Sequence, residues 1–354
     1  MKTEGVRRLV SLLLLAGCMT VSPAFAQQTA GGGKVRVVLY IPGGLGDNAY
    51  LDSAHRGMVK AAEELDVIAC TIEGGYHEPN WRPDILLLAQ GGWDVIVAAT
   101  WDLAGYVREI APDHPEKVFI TCEAPLESGG RNPDNVYSIL FVQNEGAFLA
   151  GALAAMVTTS DMPKANPEKV IGFLGGRNIP VINDFKAGYI QGAGYIDPEV
   201  EVVVSYAGTF ADPAAGREMA LEQYARGVDI AFNAAGETGL GLLEAAAEVD
   251  RYAIGVDSDQ YSLLEDSEPK TAAGIVTSMM KNVDRALYRA IEMYLAGTLP
   301  LGEVEMLGLA EGGVGIAYNE NYHKLVPREL HIRILDLEDR ILSGLITVDT
   351  AMDR

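Results

Sequence analysis

The residues best placed for chemistry are Asp257, Gly236 and Asp47, and each follows an apolar run. Residues 227–260 read GVDIAFNAAGETGLGLLEAAAEVDRYAIGVDSDQ. The run 228–232 ends in Asn233-Ala234-Ala235-Gly236, and the run 252–256 ends in Asp257-Ser258-Asp259-Gln260. A third run, 35–41, opens into the glycine-rich loop Pro42-Gly43-Gly44-Leu45-Gly46-Asp47-Asn48-Ala49-Tyr50. Such residues suit ligand recognition. Carboxylates make strong charge-assisted hydrogen bonds, and glycine lets a backbone approach a ligand closely. Nothing in the sequence suggests bond-breaking: there is no paired nucleophile and base, no Gly-x-Ser-x-Gly elbow and no metal-ligand spacing. The five histidines, His55, His77, His114, His323 and His331, are scattered. The loop at 42–50 lacks the Gly-Lys-Ser/Thr of a phosphate loop and the glycine spacing of a dinucleotide site. Ordinary turn formation accounts for the same Gly, Asn and Asp residues about equally well from the sequence alone.

The elements that would position these residues alternate. Between the runs 228–232 and 252–256, Leu240, Leu243, Ala246 and Ala247 share one helical face, so the stretch reads strand, helix, strand. A parallel βαβ unit brings both loops to one sheet edge, the edge where open α/β sheets bind ligands. The pattern predicts strands at 35–41, 67–73, 94–100, 117–122 and 136–141, with helices at 83–90 and 103–111. The first helix should begin after a cap at Asp52 or Ser53. An Ala- and Gly-rich helix follows at 145–157, then a polar linker with two prolines at 160–168. A second series has strands at 170–174, 201–206 and 273–276, with helices at 181–194, 214–227 and 278–296. Short strands are expected at 305–309 and 314–318, and residues 343–346 precede an exposed tail. Two similar α/β halves in tandem imply two lobes with a cleft between them. The first lobe would hold 35–142 and 278–312, the second 143–277 and 313–354. The crossings would fall near 142–144, 276–280 and 313–320.

Composition sets the surroundings. The 354 residues carry a net charge of -22, which argues against nucleic acid and anionic membrane surfaces as partners. Lys2, Arg7 and Arg8, the apolar run 9–15 and Ala24-Phe25-Ala26 form an export signal, cleaved after Ala26. Leu15-Ala16-Gly17-Cys18 also fits a bacterial lipobox that would lipidate Cys18. Either route exports the chain, to the periplasm or to a lipid anchor on the outer face of the cytoplasmic membrane. Cleavage removes three basic residues and one acidic residue, leaving -24. Cys70 and Cys122 fall in the second and fourth strands. A doubly wound order 2-1-3-4 sets two strands between them, beyond disulfide reach, so two buried free thiols are expected.

The chain resembles the basic membrane protein family of bacterial ABC-transporter substrate-binding proteins, the group that includes the purine nucleoside receptors. The stretches that carry the resemblance are GGLGDNAYLDSAHRG (43–57), GWDVIVAAT (92–100), FVQNEGAFLAGALAA (141–155) and KVIGFLGG (169–176). Further along come VVVSYAGTFADPAAGREMA (202–220), DIAFNAAGETGLGLLEAAAE (229–248), YAIGVDSDQ (252–260), TSMMKNVDRAL (277–287) and GGVGIAYN (312–319). They span nearly the whole chain after the export signal, in the family's order. The resemblance implies a type I periplasmic-binding-protein fold: two doubly wound parallel-sheet lobes joined by a three-crossing hinge, with ligand trapped in the cleft.

It also implies roles. Asp47 matches the family's ligand-binding Asp, and Tyr50 an aromatic that stacks on the base. Phe210 matches a second stacking aromatic from the other lobe. Gly236 and Asp257 match contacts to a sugar. Lys281, at the start of the expected long helix, matches a cleft lysine that would donate to the sugar or offset Asp257. Trp101 and Asp102 align more loosely with an aromatic and an Asp. Asn48 stands where Lys or Arg is common, and Leu51 where Asn is usual. Without the resemblance, Tyr50 and Phe210 would read as core aromatics and Lys281 as a solvated helix residue. Trp81 and His77 receive no role. The implied function is non-enzymatic capture of a purine nucleoside or nucleobase for ABC permease subunits, by a monomer with no cofactor. Because Leu51 removes a donor and acceptor pair, a riboflavin receptor is the alternative. A periplasmic sensor subunit would bind by the same chemistry. A sugar-responsive repressor would carry a helix-turn-helix where this chain has its export signal.

Overall fold

The computed structural model describes residues 33–123 and 132–352. The export signal and Cys18 lie outside the described residues. The first series runs β1 (Val35–Ile41), α1 (Tyr50–Glu64), β2 (Val67–Glu73), α2 (Glu78–Gln90), β3 (Val95–Ala98), α3 (Trp101–Ile110), β4 (Val118–Cys122) and β5 (Val136–Phe141). The second runs α4 (Gln143–Thr158), β6 (Val170–Gly175), α5 (Pro180–Ile196), β7 (Glu201–Tyr206), α6 (Pro213–Ala225), β8 (Val228–Ala234), α7 (Glu237–Glu248), β9 (Tyr252–Asp257), α8 (Gln260–Leu264), α9 (Pro269–Ala272) and β10 (Ile275–Lys281). The chain ends with α10 (Val283–Leu295), β11 (Val304–Leu307), β12 (Val314–Ile316), α11 (Glu320–Leu325) and α12 (Arg328–Leu342).

Two six-stranded sheets form, ordered β11-β5-β4-β3-β1-β2 and β12-β10-β9-β8-β6-β7. All pairs are parallel except β10 with β12. Their inner strands are mostly apolar because helices cover both faces, and β3, β5, β6, β8 and β9 are buried throughout. The chain passes between the sheets three times: between Phe141 and Gln143, at Asn282, and between Leu307 and Val314. The crossings lie side by side. The Val142 amide donates to Leu307 O (3.0 Å), and the Asn282 amide to Gly313 O (2.8 Å).

Several expectations change. The helix expected over 278–296 begins only at Val283, because residues 278–281 extend β10, pairing with β9 and β12. Lys281 therefore ends a strand instead of opening a helix. The cap of α1 is neither Asp52 nor Ser53. The helix starts at Tyr50, and Asp47 accepts from the amides of Ala49 (2.9 Å), Leu51 (2.9 Å) and Asp52 (3.1 Å). The tail is packed. Asp184, fully buried, accepts from Gln143 Nε2 (2.7 Å), Thr350 Oγ1 (2.6 Å) and the Ala351 amide (2.8 Å). Helices α11 and α12 lie beyond what the pattern indicates. Cys70 and Cys122 are not bonded to each other, since β1 and β3 separate their strands, as expected. Cys122 is buried, which pushes its thiol pKa up. Cys70 is only half-buried, because β2 is an edge strand.

The Ala- and Gly-rich composition of α4 has a packing cause. A Cβ added at Gly188 or Gly192 of α5 would collide with the backbone oxygen of Asn144 or Phe148 on α4. One at Gly151 of α4 would collide with that of Tyr189. The helices lie so close that only hydrogen fits at these points. Gly192→Ala is therefore expected to destabilise the chain by about 1–3 kcal/mol, the usual cost of overpacking. Urea unfolding with an unchanged m-value would check it.

Candidate ligand-binding cleft

The strand ends that the sequence pattern places at one edge do meet, and they face their counterparts from the other lobe. A cavity of about 270 Å³ lies between the two sheets. From the first lobe, Asp47, Tyr50 and Leu51 reach it from the β1–α1 loop and the start of α1. Trp101 and Asp102 reach it from the first turn of α3. From the second lobe come Phe210, Gly236, Asp257 and Lys281. Of the residues singled out in the sequence, Asn48 does not line the cavity. It sits at φ 49° with its amide bonded to Asp52 Oδ2 (2.8 Å), so it shapes the loop.

Phe210 is held by glycines. A Cβ at Gly176 would clash with the Phe210 ring at 2.3 Å, and one at Gly236 would touch it. Tyr50 stands opposite in sequence role but is anchored in the first lobe, its hydroxyl donating to Ala99 O. Asp257 ends β9 at φ 61°, a left-handed conformation uncommon for residues other than glycine. Its Oδ1 is buried with no hydrogen-bond partner among the described residues. Burial raises its pKa to about 7. Lys281 pulls the other way, and Glu123 and Asp47 push it further up. Asp47 is also raised by burial, against three amides that favour its charged form.

Lys281 is 1% exposed and forms an ion pair with Glu123 Oε1 at 2.8 Å. Glu123 follows β4, so the pair spans the lobes. The ammonium also lies over the rings of Phe185 (4.5 Å), Tyr50 (5.5 Å) and Phe141 (5.6 Å). Two further residue pairs bridge the lobes at the cavity wall. Arg177 Nη1 meets both oxygens of Asp102 (2.8 and 3.0 Å), and the Tyr76 hydroxyl donates to Glu237 Oε2 (3.0 Å). Sequence reasoning assigned nothing to Glu123, Arg177, Tyr76 or Glu237. Trp81, given no role, also lines the cavity, and His77 does not. The available signal was position, since Glu123 and Arg177 lie one and two residues after strand ends. Among the described residues no group of His, Cys, Asp and Glu could hold a metal ion, and no helix is long and apolar enough to cross a membrane.

A family model described as ABC transporter substrate-binding protein PnrA-like matches residues 34–350. The chain belongs to this family. It is 32% identical to basic membrane protein D of Borreliella burgdorferi strain JD1 over 315 residues, 88% of this chain and 87% of that one. It is 30% identical to basic membrane protein A of Borreliella burgdorferi strain ATCC 35210 over 342 residues, 96% and 95% of the two chains. A solved ABC transporter solute-binding protein from Aeropyrum pernix K1 superposes with TM-score 0.80 at 28% identity, covering 91% and 94% of the chains. Both the family resemblance and the type I periplasmic-binding-protein fold are thus borne out. As a PnrA-like substrate-binding protein, the chain is an extracytoplasmic binder of a small molecule that works with an ABC permease.

The raised pKa of Asp257 makes a stability prediction. Folded, this carboxyl keeps its proton up to about pH 7; unfolded, it loses it near the ordinary value of 3.8. Between those values the folded state binds more protons, so stability falls as pH rises from about 4 to about 7. In the unliganded PnrA-like protein, Asp257→Asn should flatten this fall relative to the parent. Denaturant unfolding across that pH range checks it, and parallel profiles would refute it.

Proposed function

We propose that the cleft captures a purine nucleoside or nucleobase and that the chain is the binding component of an importer for it. The observation that carries this reading is the pairing of two wall types in one cavity. Aromatic side chains, Tyr50 and Trp101 from one lobe and Phe210 from the other, line it together with a buried, unpartnered carboxylate oxygen on Asp257. A flat ring fits the aromatics, each stack adding about 0.5–1.5 kcal/mol beyond burial. Sugar hydroxyls fit Asp257, since a carboxylate accepts two of them. Lys281 is committed to Glu123, so its role is to balance charge in the cleft. We read the site as non-catalytic and without a cofactor, and the chain as a monomer.

Capture is closure of the second lobe over ligand held by the first. The ligand drives it only by binding the closed state better than the open one. A cavity of about 270 Å³ lies just below the ~300–1,000 Å³ usual for ligand sites, which favours a nucleoside over the larger riboflavin. Leu51 on the wall is the one feature favouring the flavin. Upstream, we propose cleavage after Ala26, with lipidation at Cys18 as the competing route.

Native mass spectrometry of the protein purified without refolding tests both points. The expected results are an N-terminus at Gln27 and a released nucleoside or nucleobase. A flavin mass would replace the ligand assignment. With nucleoside, Phe210→Ala and Asp257→Ala should each weaken binding at least tenfold by calorimetry, roughly the 1.4 kcal/mol of one lost stack or charged hydrogen bond. Unchanged affinity in both would overturn the site.

A further inference from the structure

The cross-lobe pair of Arg177 and Asp102 carries more than closure. Arg177 follows Gly175 and Gly176 at the end of β6, and Asp102 lies in the first turn of α3. A single nitrogen, Nη1, donates to both carboxylate oxygens. No further hydrogen bond of the Arg177 side chain is found among the described residues, so Nε and Nη2 keep unused donors. The guanidinium carbon lies 5.9 Å from the centroid of the Phe210 ring, and both residues of the pair line the cavity. A carboxylate alone at Asp102 would present acceptors to the ligand. With Arg177 bonded to both its oxygens, the wall beside Phe210 also presents the guanidinium's donors.

We propose that Arg177 is a specificity residue of the cleft, reading an acceptor edge of the ring stacked on Phe210. The chain then prefers 6-oxopurine nucleosides to 6-aminopurine ones. This rests on the nucleoside reading above. A guanidinium is a planar, always charged fork that matches a carbonyl oxygen beside a ring nitrogen. An amino group in place of the carbonyl sets donor against donor and leaves both unpaired in a closed cleft. Asp102 fixes the fork from the opposite lobe, so the edge is read only once the lobes meet.

The test is calorimetry with inosine, adenosine and purine riboside, which carries neither group at C6. The proteins are the parent, Arg177→Ala and Arg177→Gln. The parent should favour inosine over adenosine by about tenfold or more, the scale of one guanidinium pairing with a purine edge. Arg177→Ala, which leaves the Asp102 carboxylate as an acceptor, should abolish that preference or invert it toward adenosine while changing purine riboside far less than inosine. Arg177→Gln, with a neutral donor, should fall between. A mere closing latch would weaken all three ligands alike, and that result overturns the proposal while leaving the nucleoside reading intact. A parent without preference also overturns it. Failure of all three to bind the parent removes the nucleoside reading itself.

Discussion

The buried ion pair between Lys281 and Glu123 is the constraint that the closed cleft has to satisfy. Its two charges come from different sheets and are almost fully removed from water. Neither could be left alone there: removing one partner of a buried pair typically costs about 3–5 kcal/mol, because the other charge stays uncompensated. The pair exists only when β4 and β10 end against each other. Opening the lobes would return both groups to water, so the pair's net worth to closure is small. Closing is then a matter of what fills the remaining space.

That balance explains the distribution of polar groups around the cavity. Asp47 is satisfied by three amides, Asp102 by Arg177, Glu237 by Tyr76 and Glu123 by Lys281. Among the described lining residues, Asp257 Oδ1 and Thr100 Oγ1 are buried without a partner, and Asp257 sits on a strained backbone. A site that leaves buried oxygens unsatisfied is poised for a ligand that brings the hydrogen bonds. The same physics raises the Asp257 pKa, because an ionised carboxylate there lacks both water and a partner.

The elements around the hinge are tied closely together. Three crossings are bonded to one another through backbone groups, and α4 and α5 are pressed together through glycines beside the first of them. The C-terminal segment is tied to Asn144 at the start of α4, and Asp184 joins the same segment to Gln143. The moving part of such a fold is confined to the few crossing residues.

The amino-acid sequence by itself determined the alternation of strands and helices, the two-lobed order and the family. It also brought Gly236 and Asp257 to one edge, because apolar runs and their terminating Gly and Asp residues are local signals. It could not place Lys281 on a strand. Residues 278–281 join β10 only because β9 and β12 supply a ladder, and that partner is remote in sequence. It likewise carried no sign that Glu123 would neutralise Lys281, that Arg177 would take both oxygens of Asp102, or that α12 and the tail would pack. Each of those contacts joins residues 75 or more positions apart, or elements from opposite lobes. Side-chain pairing at such separations is decided by how the two sheets face each other, which no local pattern encodes.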